Sequence, residues 1–166
     1  MKRYPERAVF FFIAAVITLG FIEVSHADVP APKDTGRGVV SVPNVVKPQA
    51  IVPYTDPSFG TYAVRVTDAR TDVYGGDRSK GMKNEYSRVQ SFNANDTYMV
   101  VRSIEAYWYL YDANTLKRVR QLPFQGESEP RWDANNPDRL YYMGDKKLMA
   151  YSAASGKTSL VHDFSK

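Results

Sequence analysis

The chain has no cysteine among its 166 residues. That excludes a disulfide framework, a thiolate metal site, a cysteine nucleophile and a lipid-modified N-terminal cysteine. Histidine is nearly as scarce, with two residues, His26 and His162. One histidine in the mature chain cannot build a His-rich zinc site. Charge of one sign is also in short supply. The formal net charge is +4, too small and too scattered to point to nucleic acid as a partner. Beyond the N-terminal segment no stretch shows the periodicity of an amphipathic helix.

Aromatic residues are what the chain has instead: 13% of the sequence, including 12 tyrosines, a composition that suits strands. The N-terminus reads as an address. Lys2, Arg3 and Arg7 form a positive region, and a 15-residue run from Ala8 to Ile22 is apolar apart from Thr18 and Gly20. Ser25-His26-Ala27 then offers small residues where a signal peptidase reads. The run is short of the roughly 20 residues that span a bilayer. The pattern predicts a signal peptide over residues 1–27, cleavage after Ala27, and a periplasmic or secreted protein with no stable membrane anchor. Residues 28–55 hold Pro30, Pro32, Pro43, Pro48 and Pro53, which predicts an extended linker. Within it, Gly38 to Val42 could add a strand to a sheet edge.

A repeat organises the rest. Gln90-Ser91-Phe92-Asn93-Ala94-Asn95 returns 40 positions later as Pro130-Arg131-Trp132-Asp133-Ala134-Asn135. Leu110-Tyr111-Asp112-Ala113-Asn114-Thr115 returns at the same offset as Ala150-Tyr151-Ser152-Ala153-Ala154-Ser155. One spacing shared by two separate motifs indicates a structural repeat, and strand-like repeats of about 40 residues are the mark of β-propeller blades. The predicted elements are a turn at Asp56–Thr61, a strand at Tyr62–Thr67, and a polar loop at Asp68–Met82 whose Gly75–Gly81 part reads as a flexible inter-blade loop. The first unit then has strands at Ser87–Phe92, Tyr98–Ser103, Tyr107–Tyr111 and Arg118–Leu122. The second has strands at Glu129–Trp132, Leu140–Met143, Lys147–Tyr151 and Ser159–Asp163. Tyr107-Trp108-Tyr109-Leu110-Tyr111 is large and apolar on both faces, which predicts a strand covered on both sides. A buried strand of a β-sandwich fits that pattern too.

Ser91-Phe92-Asn93-Ala94-Asn95-Asp96 and Arg131-Trp132-Asp133-Ala134-Asn135-Asn136-Pro137-Asp138-Arg139-Leu140 resemble the blade signature of TolB-type, WD40-like propellers: an aromatic, a short Asn/Asp-rich turn, then an apolar strand. The likeness runs from about Asp56 to Asp163. Trp132-Asp133 sits in a first turn and is not the WD40 dipeptide at a blade's end. The resemblance implies an all-β fold of propeller blades over residues 56–166, about two four-stranded antiparallel blades plus an extra strand. A closed ring needs at least four blades, about 160 residues. The ring is therefore expected to be incomplete, with further blades belonging to a longer protein. Ring closure by several chains, or a small β domain with degenerate repeats, are the other readings.

Catalytic motifs are weak. His162 beside Asp163 could enter a Ser-His-Asp arrangement, but no nucleophile elbow is present and His162 falls in a strand. Asp133 to Asp138 suggests calcium, yet Asp138 and Gly144 stand where an EF-hand loop requires Gly and Glu, and a tight turn accounts for the same residues. Gly75 to Gly81 resembles a phosphate loop without its Gly-Lys-Ser/Thr ending. No cofactor and no metal is expected. The stronger candidate is a polar set just before the first strand of each unit, at the expected channel mouth: Glu85, Tyr86 and Arg88 in one, Glu127, Glu129 and Arg131 in the next. Carboxylates, guanidiniums and a tyrosine around one concave mouth could bind a sugar or a peptide. They could equally pair among themselves. The reading is an exported, non-catalytic binding scaffold. The other function considered is the N-terminal part of a carbohydrate-active enzyme resembling oligogalacturonate lyases, or of a propeller-containing peptidase.

Overall fold

The computed structural model describes Asn44, residues 46–73 and residues 75–165. The signal segment, most of the linker and the Gly38–Val42 strand lie outside the described residues. A short hairpin comes first, β1 (Pro53–Thr55) against β2 (Tyr62–Val64), so the predicted linker already enters a sheet at Pro53. Its turn is the one expected at Asp56–Thr61. The Asp56 carboxylate accepts the Ser58 and Phe59 amides, and Gly60 closes the turn with a φ of 64° that glycine adopts without strain. The predicted strand ends early: Arg65 forms only a parallel bridge to Ala50.

Two four-stranded antiparallel sheets follow, with neighbouring strands consecutive in the chain. The first holds β3 (Met82–Lys83), β4 (Tyr98–Ser103), β5 (Tyr107–Asp112) and β6 (Arg118–Gln125). The second holds β7 (Arg131–Trp132), β8 (Arg139–Gly144), β9 (Lys147–Ser152) and β10 (Thr158–Asp163). The repeat is visible in the backbone: β5 and β9 start 40 residues apart, at 107 and 147, and so do β6 and β10, at 118 and 158. Turn bonds repeat with it. Asp112 N–H donates to the Lys117 carbonyl and Ser152 N–H to that of Lys157. Ala113 N–H donates to the Thr97 carbonyl and Ala153 N–H to that of Asp138.

The sheets pack face to face. Val100, Trp108, Leu110, Leu122 and Phe124 of the first meet Leu140, Tyr142 and Tyr151 of the second. The Phe124 and Tyr142 rings stack with centroids 4.2 Å apart. Alternation along β5 sends Tyr109 and Tyr111 to the opposite face, where with Met99 and Val101 they meet Val66, Val73 and Met82. The strand is thus covered on both sides, as its sequence predicts.

That second covering corrects one expectation. The polar stretch 68–82 is not a loop throughout. It holds a single helical turn, α1 (Ala69–Asp72), capped by Asp68, whose side chain accepts the Arg70 amide. It then lies across the first sheet. A buried tyrosine hydroxyl needs an acceptor, and this segment supplies two: Tyr109 donates to Asp77 at 2.6 Å and Tyr111 to Asp72 at 2.9 Å.

The first strand of each unit is a further correction. Ser87–Phe92 is not a strand. Met82–Lys83 pairs with the far end of β4, residues 84–90 leave the sheet, and the chain returns at Phe92 with an isolated bridge to Met99, in which the Ser91 carbonyl accepts the Val100 amide. The excursion is held by a turn in which Val89 N–H donates to the Tyr86 carbonyl. In the second unit the strand begins at Arg131, not Glu129. Glu129 has a φ of 42°, and Pro130 has no N–H to give the ladder.

Candidate functional site

The excursion between β3 and Phe92 and the loop from Gly126 to Pro130 rise at the same end of the two sheets. Glu85, Tyr86, Arg88, Glu127, Glu129 and Arg131 all line one cleft there, with Val89, enclosing about 200 Å³. Five of the six polar residues come from the irregular backbone just described, and Arg131 opens β7. The loop from Gly126 to Pro130 has two anchors. Ser128 is buried and its hydroxyl donates to the Gln125 carbonyl at 2.7 Å, while the Trp108 indole donates to the Gly126 carbonyl at 3.1 Å. Glu129 holds a left-handed backbone immediately before a proline, where sterics disfavour it, and Pro130 is fully buried behind it.

Beneath the cleft lies a residue that sequence reading did not single out. Arg102, on β4, is only 9% exposed. Its guanidinium donates to Glu85 at 2.7 Å and to Glu127 at 2.5 Å, so one buried cation ties the two loops together. It also lies 5.7 Å from the centre of the Trp108 ring. Its Nε is buried without an acceptor among the described residues. Burial pushes the Glu85 carboxyl up, but the hydrogen bonds from Arg102 and the Tyr86 amide, with the charges of Arg102 and Lys83, together outweigh it and leave the group below the usual carboxylate range. Arg102 is held above its ordinary value by the same two carboxylates, against the pull of burial. A lone arginine in a run of apolar strand residues, Tyr98-Met99-Val100-Val101-Arg102, was the signal in the sequence, since such a residue must find counter-charges.

The rim is looser. Arg131 and Glu129 approach to 3.7 Å, an ion pair beyond hydrogen-bond distance. The Arg88 guanidinium sits 5.1 Å over the Tyr86 ring. Mutual pairing is therefore strong only at Arg102, Glu85 and Glu127, and the rim groups keep donors and acceptors to spare.

The other candidates have structural work. The Asp133 carboxylate accepts the Asn135 and Asn136 amides at 2.9 and 3.0 Å, the bonding of an Asx turn. Those bonds hold its pKa below the usual range. Asp77, in the glycine-rich loop, accepts from Tyr109 and from the Ser79 amide. His162 lies on the outer strand β10, with its ring 4.5 Å from that of Phe164, and Asp163 accepts from Ser165. Among the described residues no group of three His, Asp or Glu side chains converges as around a metal ion. No helix among them is long and apolar enough to cross a membrane.

Compared with protein-family models, with curated proteins and with solved structures, the chain finds no match.

Proposed function

We propose that this chain is an exported, non-catalytic binding scaffold of the propeller type, which takes a small polar ligand in the cleft over Arg102. The observation that carries the reading is the convergence of six polar side chains from two repeats on one cleft over a buried, doubly paired arginine. A site assembled from loops on a rigid β framework is the ordinary way repeat folds bind. Export rests on the N-terminal pattern of charge, apolar run and Ser25-His26-Ala27.

The propeller reading draws on how the two sheets meet. Even-numbered residues of β5, Trp108 and Leu110, face the second sheet, and odd-numbered residues of β9, Met149 and Tyr151, face the first. The contact is head-to-tail, so it can repeat. The far face of the second sheet carries Tyr141, Met143, Leu148 and Ala150, paired in register across β8 and β9. Met143 is 41% exposed, and Phe164, 40 residues after Phe124, is 55% exposed. A further sheet of the same repeat packed there would cover them, as blades cover one another in a propeller of the TolB type.

Trp108 lies under the cleft and reports on it. Titration of the mature protein with small polar compounds is expected to change tryptophan fluorescence saturably, and Glu127→Ala is expected to weaken the response. A full panel without saturable change, or a response indifferent to Glu127, would overturn the proposal. Recovery of the native protein from the cell envelope or medium with Asp28 at its N-terminus tests the export half.

A further inference from the structure

The unspent groups on the rim say which polar ligand fits. Arg88 makes a ring contact with Tyr86 and donates no hydrogen bond among the described residues. Arg131 reaches only the 3.7 Å ion pair with Glu129, which leaves both with open hydrogen-bonding capacity. Glu127 gives Oε1 to Arg102 and keeps Oε2. The rim thus holds two guanidiniums and two carboxylates with capacity left over. Arg102 is different. Both terminal nitrogens are taken by Glu85 and Glu127 in a nearly buried position, so an incoming anion could use it only by expelling a carboxylate.

The charges lining or underlying the cleft balance: Glu85, Glu127 and Glu129 against Arg88, Arg102 and Arg131. A ligand with net charge would upset that balance in a partly desolvated place, whereas a dipolar ligand would meet both signs. Guanidinium forks match carboxylates in shape and charge, and carboxylates match an ammonium. The cleft's roughly 200 Å³ is below the range of about 300–1,000 Å³ usual for drug-sized ligands. It suits one or two amino-acid residues, not an oligosaccharide.

We propose that the cleft binds a zwitterion of the amino-acid or short-peptide type, with its carboxylate on Arg88 and Arg131 and its ammonium on Glu127 and Glu129. This rests on the cleft being the ligand site. No covalent step is involved. The role of Arg102 is to hold the two loops at the spacing that presents opposite charges to the two ends of the ligand.

The test is a calorimetric titration of the mature chain with L-alanyl-L-alanine, its N-acetyl form, its C-terminal amide, the doubly blocked form and maltose. The free dipeptide is expected to bind, and blocking either end should weaken binding about tenfold or more, the worth of one charge-assisted pair. Arg131→Gln should weaken the free dipeptide but leave the C-terminal amide unaffected. Glu129→Gln should do the mirror image with the N-acetyl form. Both lie on the exposed rim, and near-ultraviolet circular dichroism checks that the variants are folded. Equal binding of the free and doubly blocked dipeptides overturns the proposal. Binding of maltose alone, still sensitive to Glu127→Ala, overturns it while the cleft remains a ligand site. No binding by any probe removes both.

Discussion

The two four-stranded sheets share strand order and spacing but differ in what covers them. In the first, β4 and β5 are buried on both faces, by the second sheet on one side and by Val66, Val73 and Met82 on the other. In the second, one face is packed and the other, with Tyr141, Met143 and Leu148, is half exposed. The lesson is that the repeat sets the shape of a sheet but not its stability. Stability comes from neighbours, as in other stacked repeats where each unit depends on the next. The covered sheet also carries the more demanding chemistry. The hydroxyls of Tyr109 and Tyr111 and the strand arginine Arg102 are each met by a carboxylate from outside the sheet: Asp77, Asp72, Glu85 and Glu127.

The sharpest break of this comparison sets Leu110→Ala beside Leu148→Ala. Leu110 is fully buried between the sheets, and its truncation is expected to cost about 3 kcal/mol. Leu148, on the half-covered face, should cost less than about 1 kcal/mol. Urea unfolding followed by circular dichroism measures both. Equal losses would mean that the far face of the second sheet is covered in solution.

Next in size is Arg102→Met, which keeps the side chain's length and leaves Glu85 and Glu127 without their shared cation. A loss of about 2 kcal/mol is expected, with hydrogen exchange quickening in both cleft loops. Unchanged exchange there would show that the arginine does not tie the loops. Tyr109→Phe removes the donor to Asp77 and should cost about 1–2 kcal/mol, read as a lower denaturation midpoint. Tyr141→Phe, on the open face of the second sheet, is the control and should change stability by less than about 0.5 kcal/mol.

A smaller, graded effect is expected with pH. Burial raises the Asp77 pKa, but hydrogen bonds from Tyr109 and Ser79 outweigh it and hold the group below its ordinary value. A depressed carboxyl contributes stability above its unfolded pKa and loses it as pH falls through the folded one. Below about pH 4 the cover over the first sheet should therefore loosen before the sheet-to-sheet contact does. Amide exchange at Tyr109 and Tyr111, compared with Tyr142 and Tyr151 across the pH range, checks the order. Asp77→Asn should flatten it.

Much of the fold was legible in residue order. The offset between Leu110-Tyr111-Asp112 and Ala150-Tyr151-Ser152 marked the repeat that holds β5 and β9, and the strand expected at Tyr98–Ser103 is β4 with its observed ends. The first strands were less legible. Ser87–Phe92 has the composition of a strand, but the pull of Arg102 on Glu85 and the turn at Tyr86–Val89 accompany a departure from the sheet, a contact between residues 17 apart. The cleft was half legible. Its six rim residues stand out as polar groups before each unit's first strand, while Arg102, which links their loops, lies within an apolar one.

The sequence alone determined the repeat, the all-β class and the places where the chain must turn, because hydrophobic alternation and Asn/Asp/Gly turns act over a few residues. Tertiary structure decided what covers each face and what joins the two loops at the cleft. A buried hydroxyl or guanidinium requires a partner, yet any carboxylate that packing brings near will serve. Which one arrives depends on how distant segments meet.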